Sequence, residues 1–86
     1  MSDVQMPTSK ELLEATLNGI RALGGKATNE QILEWTISNL NLNREQTSAV
    51  RSGRRTELEY RLAWARTAAR KSGLIERSGP SSWTLC

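Results

Sequence analysis

Leu13, Leu17, Ile20 and Leu23 recur at intervals of three to four, the period that lines one face of an α-helix, and the spacing predicts a helix over Thr8–Leu23. Thr8 or Ser9 is placed to cap its start, and Gly24 to supply a left-handed stop. Lys26 and Ala27 leave room only for a stub of extended chain before Thr28. That hydroxyl, with the Gln31 side chain three residues on, has the form of a capping box, so a second helix is expected from Thr28 to about Leu40. Its buried stripe reads as Leu33, Ile37 and Leu40, flanked by Ile32 and Thr36. Asn41 to Val50 is less regular, although Asn43 can cap a short turn over Arg44, Glu45 and Gln46, with Leu42 and Val50 pinning its ends.

After a loop at Arg51-Ser52-Gly53-Arg54, a second capping box, Thr56 with Glu59, opens a helix that runs to Ser72 and stops at Gly73. At 100° per residue, Leu58, Leu62, Ala65 and Ala69 fall within about 60° of one another and form the stripe expected to face a core. Tyr60, Ala63, Thr67 and Lys71 point away from it, Arg66 and Arg70 flank that outer face, Trp64 lies toward the other side, and Arg61 sits nearer the core edge. Behind this helix, 74–77 and 82–85 alternate as two short strands joined by Ser78-Gly79-Pro80-Ser81, a turn-forming run. Three main helices with a β-hairpin behind the last is the order of a winged helix-turn-helix, mainly α with a small C-terminal β-wing. The expected organisation is one domain over 8–86 preceded by a flexible tail of residues 1–7.

Size and composition agree with a single domain. At 86 residues the chain can support one core, and 37 % hydrophobic with 24 % charged residues is ordinary for a globular protein. The start of the chain has no basic stretch followed by an apolar run, and no segment approaches a membrane span, so a cytoplasmic protein without membrane contact is expected. Chemistry is poorly provided for. There is no His, the single Cys86 cannot form an internal disulfide or a multi-cysteine metal site, and the Gly24-Gly25 pair follows a helix instead of a strand, unlike a phosphate-cradling loop. No catalytic residue, no metal site and no cofactor is therefore assigned.

Charge changes the picture. The net charge of +3 hides an asymmetry: from Arg44 to Arg77 nine basic residues face four acidic ones, a net of +5, whereas the rest of the chain carries −2. Eight of those nine are Arg, whose planar fork can engage phosphate or guanine bidentately. The sign and the residue type suit a polyanion, and duplex DNA is the expected partner.

The run from Leu23-Gly24-Gly25 through Ser52-Gly53-Arg54, Arg61-Leu62-Ala63-Trp64-Ala65-Arg66 and Gly73-Leu74-Ile75-Glu76-Arg77 to Trp83-Thr84-Leu85 resembles the N-terminal domain of Mrr-type restriction proteins. The likeness covers roughly Leu13 to Leu85. It implies a winged-helix DNA-recognition module of bacterial restriction systems that attack modified DNA, a module that in the family precedes a separate nuclease domain. No nuclease domain follows here, so cleavage is not expected of this chain, which is either an excised reader or a small protein that works by binding.

On this reading Arg51, Ser52, Arg54, Arg55 and the first turns of the 56–72 helix approach a major groove. Tyr60, Ala63 and Thr67 face base edges, with Arg61 beside them, and Arg66 and Arg70 contact the flanking backbone. Arg77 and the Ser78, Ser81, Ser82 tip form the wing. Ala63 and the Thr67 methyl can meet a thymine or modified-cytosine methyl group. Trp83 is expected to plug the core under the hairpin, and Trp35 and Trp64 to pack. The alternative is a protein-interaction or homodimerisation module with an apolar patch around Trp35 and Trp64.

Overall fold

Every helix starts with the same local device. In the computed structural model, which describes residues 5–86 with Ser52 as backbone alone, the helices are α1 (Ser9–Ala22), α2 (Asn29–Asn39), α3 (Arg44–Ser48) and α4 (Glu57–Lys71). Thr8 with Glu11, Thr28 with Gln31, Asn43 with Gln46 and Thr56 with Glu59 close reciprocal capping boxes at the four N-termini. Each satisfies two backbone N–H groups that a helix start otherwise leaves to solvent. At the C-termini Gly24 (φ 94°) and Gly73 (φ 74°) take the left-handed conformation that stops α1 and α4, as their positions in the sequence predict.

The strands are β1 (Lys26–Thr28), β2 (Val50–Ser52), β3 (Arg55–Thr56), β4 (Ile75–Gly79) and β5 (Ser82–Leu85). The C-terminal hairpin β4–β5 is completed by β1 into an antiparallel sheet of order β1-β5-β4, with Ala27 opposite Trp83 and Ile75 opposite Leu85. The Lys26–Ala27 stub thus becomes an edge strand, and helices with this small sheet form a winged-helix-like fold. Of the segment read as a loop at 51–54, Arg51 and Ser52 are part of β2 and Gly53-Arg54 make the turn of a β2–β3 ribbon, with Gly53 in the left-handed region. Val50 is 71 % exposed on that ribbon and pins nothing, whereas Leu42 packs against the core. Of the 1–7 tail, residues 1–4 lie outside the described residues. Pro7 is buried, Met6 packs against the core, and the Gln5 carbonyl accepts a hydrogen bond from Gln46 Nε2 at 2.8 Å.

The core stripe of α4 is the predicted one: Leu58, Leu62, Ala65 and Ala69 are all buried. In α1 the buried face is rotated, to Leu12, Ala15, Thr16, Gly19 and Ile20, while Leu13 and Leu17 pack at its edge and Leu23 is exposed. Small residues win this face because they let neighbouring elements come close. A Cβ on Gly19 would stand 3.1 Å from the Trp35 ring, so Trp35 packs as expected, on a glycine. In α2 the order is likewise inverted: Ile32 and Thr36 are buried, and Leu33, Ile37 and Leu40 are only partly so.

Thr36 is fully buried and its hydroxyl has no hydrogen-bond partner among the described residues. A buried hydroxyl left unpaired costs about 1–3 kcal/mol, and valine has the same shape without it. Thr36→Val is therefore expected to raise stability by about 1 kcal/mol, read as a higher denaturation midpoint at unchanged denaturant slope.

Candidate nucleic-acid interface

With its core stripe turned inward, α4 has two free flanks, and the structure gives them different characters. On one flank Arg66, Arg70 and Lys71, with Arg77 from β4 and Asn29 from the start of α2, line a groove of about 500 Å³ floored by Ala63 and Thr67 and closed by Trp83. No carboxylate among the described residues lines it. Arg66 is half-buried, and its pKa is held below the ordinary arginine value, first by desolvation and then by the neighbouring charge of Arg55. An anion placed there would relieve both effects.

The groove is held open by its back wall. Trp83 is buried, its Nε1 donates to Asn29 Oδ1 at 2.7 Å, and the Arg77 guanidinium lies 5.5 Å from its ring centroid. The Asn29 backbone N–H donates to the Ser81 carbonyl at 2.8 Å. The wing is thereby tied to α2 at two points, and Arg77 turns toward the groove. On the floor, Thr67 Oγ1 donates its hydrogen to the Ala63 carbonyl at 2.9 Å, so outward it offers only lone pairs and a methyl group.

Near the start of α4 the β2–β3 ribbon brings Arg51 over the Tyr60 ring at 4.2 Å and Arg55 to 5.9 Å from the same ring. Arg54 is exposed at the turn beside Gly53, and Ser81 is exposed at the wing tip in the left-handed region. The ion pairs among the described residues both use Glu57, with Arg61 Nε at 2.7 Å and Arg51 at 3.6 Å. Arg54, Arg55, Arg66, Arg70, Lys71 and Arg77 have no carboxylate at ion-pair distance among those residues.

Most of the sequence-read candidates therefore gather around α4 and its two hairpins: Arg54, Arg55, Tyr60, Ala63, Arg66, Thr67, Arg70, Arg77 and Ser81. Arg61 does not join them, because it lies on the opposite flank and is engaged by Glu57. Arg51 is shared between the Tyr60 face and Glu57. Ser52 is on the ribbon, with only its backbone described. Lys71 and Asn29 were absent from the candidate set. Lys71 shares the outer face with Ala63 and Thr67 at helical spacing, so periodicity could have found it; Asn29 meets Trp83 from 54 positions away and carries no local signal. Trp64, expected to pack, is 59 % exposed on the far flank.

Among the described residues, no group of three or more His, Cys, Asp or Glu is placed to hold a metal ion, and no helix is long and apolar enough to cross a membrane. A family described as the Mrr N-terminal domain matches residues 10–86. No curated protein and no solved structure matches the chain.

Proposed function

The chain belongs to the Mrr N-terminal domain family, and from that premise we propose that it reads duplex DNA, with α4 in the major groove and the β2–β3 ribbon and β4–β5 wing on the flanking backbone. The observation that carries the reading is the groove of Arg66, Arg70, Lys71 and Arg77, four cations with no carboxylate among the described residues that line it. Exposed cations on a protein surface usually sit among counter-charges, whereas a row that forms no ion pair among the described residues suits the regular negative charge of a nucleic-acid backbone.

Roles follow from position. Arg55 and Arg66 bracket one phosphate, Arg70, Lys71 and Arg77 the next ones along the groove, and Arg54 with Ser81 touches backbone at the two tips. Tyr60, Ala63 and Thr67 meet base edges. Thr67 can accept from an adenine or cytosine amino group, and the Ala63 and Thr67 methyls can contact the methyl of thymine or of a modified cytosine. In this reading the protein works in a bacterial restriction-type system in the cytoplasm, it needs no cofactor, and cutting belongs to a nuclease unit other than this domain.

Fluorescence anisotropy with labelled duplex, single-stranded and cytosine-modified DNA at three salt concentrations tests it. Salt-sensitive duplex binding is expected, and Arg66→Ala should make the log-log salt slope shallower by about one, because one phosphate contact is lost. No duplex binding at low salt, or an Arg66→Ala variant with the parent's slope, rejects the assignment.

A further inference from the structure

The other flank of α4 carries a groove of opposite character. It lies between α1 and α4, has a volume of about 560 Å³, and is walled by Leu12, Leu13, Tyr60, Trp64, Ala65 and Ala68, so Tyr60 borders this groove as well as the outer face of α4. Trp64 meets Tyr60 edge-on with ring centroids 6.4 Å apart, a contact that steadies the exposed indole beside the groove. Lys10, Arg51 and Arg61 line it against a single carboxylate among the described lining residues, Glu57, which is shared by both arginines, so three cations face one anion and the lining stays net positive.

These features fit neither phosphates nor a second copy. An apolar wall gives a DNA backbone nothing to pair with, and Trp64 and Ala68 lie around the helix from Arg66 and Arg70. A two-fold contact through this face would set the rim cations of one copy near those of the other, a like-charge arrangement that disfavours association. The fitting occupant brings carboxylates around an apolar anchor. The α4 lining from Glu57 to Ala68 extends about 16 Å at 1.5 Å per residue, the length of about three helical turns.

We propose that the groove between α1 and α4 docks a short acidic amphipathic helix of a partner protein, with apolar side chains beside Trp64 and carboxylates at Lys10, Arg51 and Arg61. The proposal rests on the groove alone and stands whether or not the opposite flank binds DNA.

The probe is a fluorescein-labelled peptide of about twelve residues, with Leu, Trp and Leu on one helical face and Glu elsewhere, titrated by anisotropy into the full chain. Saturable binding is expected. It should weaken at least about tenfold in Trp64→Ala and in Arg61→Glu, and vanish when the three apolar anchors of the peptide are alanine. Arg66→Ala should bind the peptide as the parent does, which separates the groove from the row of cations at Arg66, Arg70, Lys71 and Arg77, and Trp64→Ala should keep its melting temperature. No saturable peptide binding, or equal binding by Trp64→Ala, overturns the proposal. A Trp64-dependent dimer in sedimentation without peptide overturns it as well, by giving the groove to a second copy. Loss of duplex binding alone would bear on the DNA reading and leave this one intact.

Discussion

Raising the salt concentration from about 50 to about 200 mM is expected to weaken duplex binding by roughly 250- to 1000-fold. The figure comes from counting which cations are free to release counterions from DNA. Arg54, Arg55, Arg66, Arg70, Lys71 and Arg77 have no carboxylate partner among the described residues, whereas Arg51 and Arg61 are paired with Glu57. If about five of the six reach phosphates, the log-log slope is about −4 to −5, and a fourfold rise in salt multiplies through that exponent. The same count gives the control. Arg61→Ala should leave the slope where it is, while Arg66→Ala flattens it, although both positions lie on one helix and both are arginine. Anisotropy titrations at matched pH measure all three slopes. A parent slope between zero and −1 would mean that phosphates do not hold the protein, and equal flattening by both variants would mean that the two flanks of α4 do not divide as the geometry indicates.

Trp83→Ala is expected to cost about 3–5 kcal/mol, the range for removing a large aromatic from a packed core. For 86 residues the whole stability is on the order of 4–13 kcal/mol, so this one change removes a large share of it. Trp83 is buried at the centre of the three-stranded sheet, on the strand that pairs with both β1 and β4. Its loss therefore leaves a cavity and loosens the wing together. The melting temperature should drop by at least about 12 °C, taking about 4 °C per kcal/mol for a domain of this size. Trp83→Phe separates packing from hydrogen bonding. It retains an aromatic ring but removes the donor to Asn29 Oδ1, and should cost less, about 1–2 kcal/mol beyond the small loss of ring area. A Trp83→Ala protein that melts with the parent would show that the wing is not part of the core. Because Trp83 closes the basic groove, duplex affinity should fall in Trp83→Ala and persist in Trp83→Phe at temperatures where both are folded.

The features legible in the sequence are those whose cause lies within a few residues. The boxes at Thr28 and Thr56 involve a side chain and a backbone group three positions apart, so residue type and spacing are sufficient to find them. The α4 stripe of Leu58, Leu62, Ala65 and Ala69 is readable because a single helical face fits all four positions. The terminal hairpin announced itself through Gly79-Pro80. The basic character of the 44–77 segment is likewise a property of composition, visible before any fold is known.

Only the tertiary structure chose among helical faces that hydrophobicity left nearly equal. In α1, leucines at 13, 17 and 23 suggested one stripe, but the packed face is the one with Ala15, Thr16 and Gly19, because Trp35 needs a glycine beneath its ring and comes from another helix. In α2, Ile32 and Thr36 displaced Leu33 and Ile37 from the deepest positions. The two flanks of α4 were separable by angle, yet their assignment to a basic groove and an apolar one depended on where β4–β5 and α1 came to lie. Arg61 and Arg66 are five residues apart with the same chemistry, and one is held by Glu57 while the other is half-buried beside Arg55. Capping and helical period act through neighbours along the chain. Burial, ion pairing and the line between the two grooves act through neighbours in space, such as Asn29 and Trp83 at 54 positions' separation, and these exist only once the chain has closed on itself.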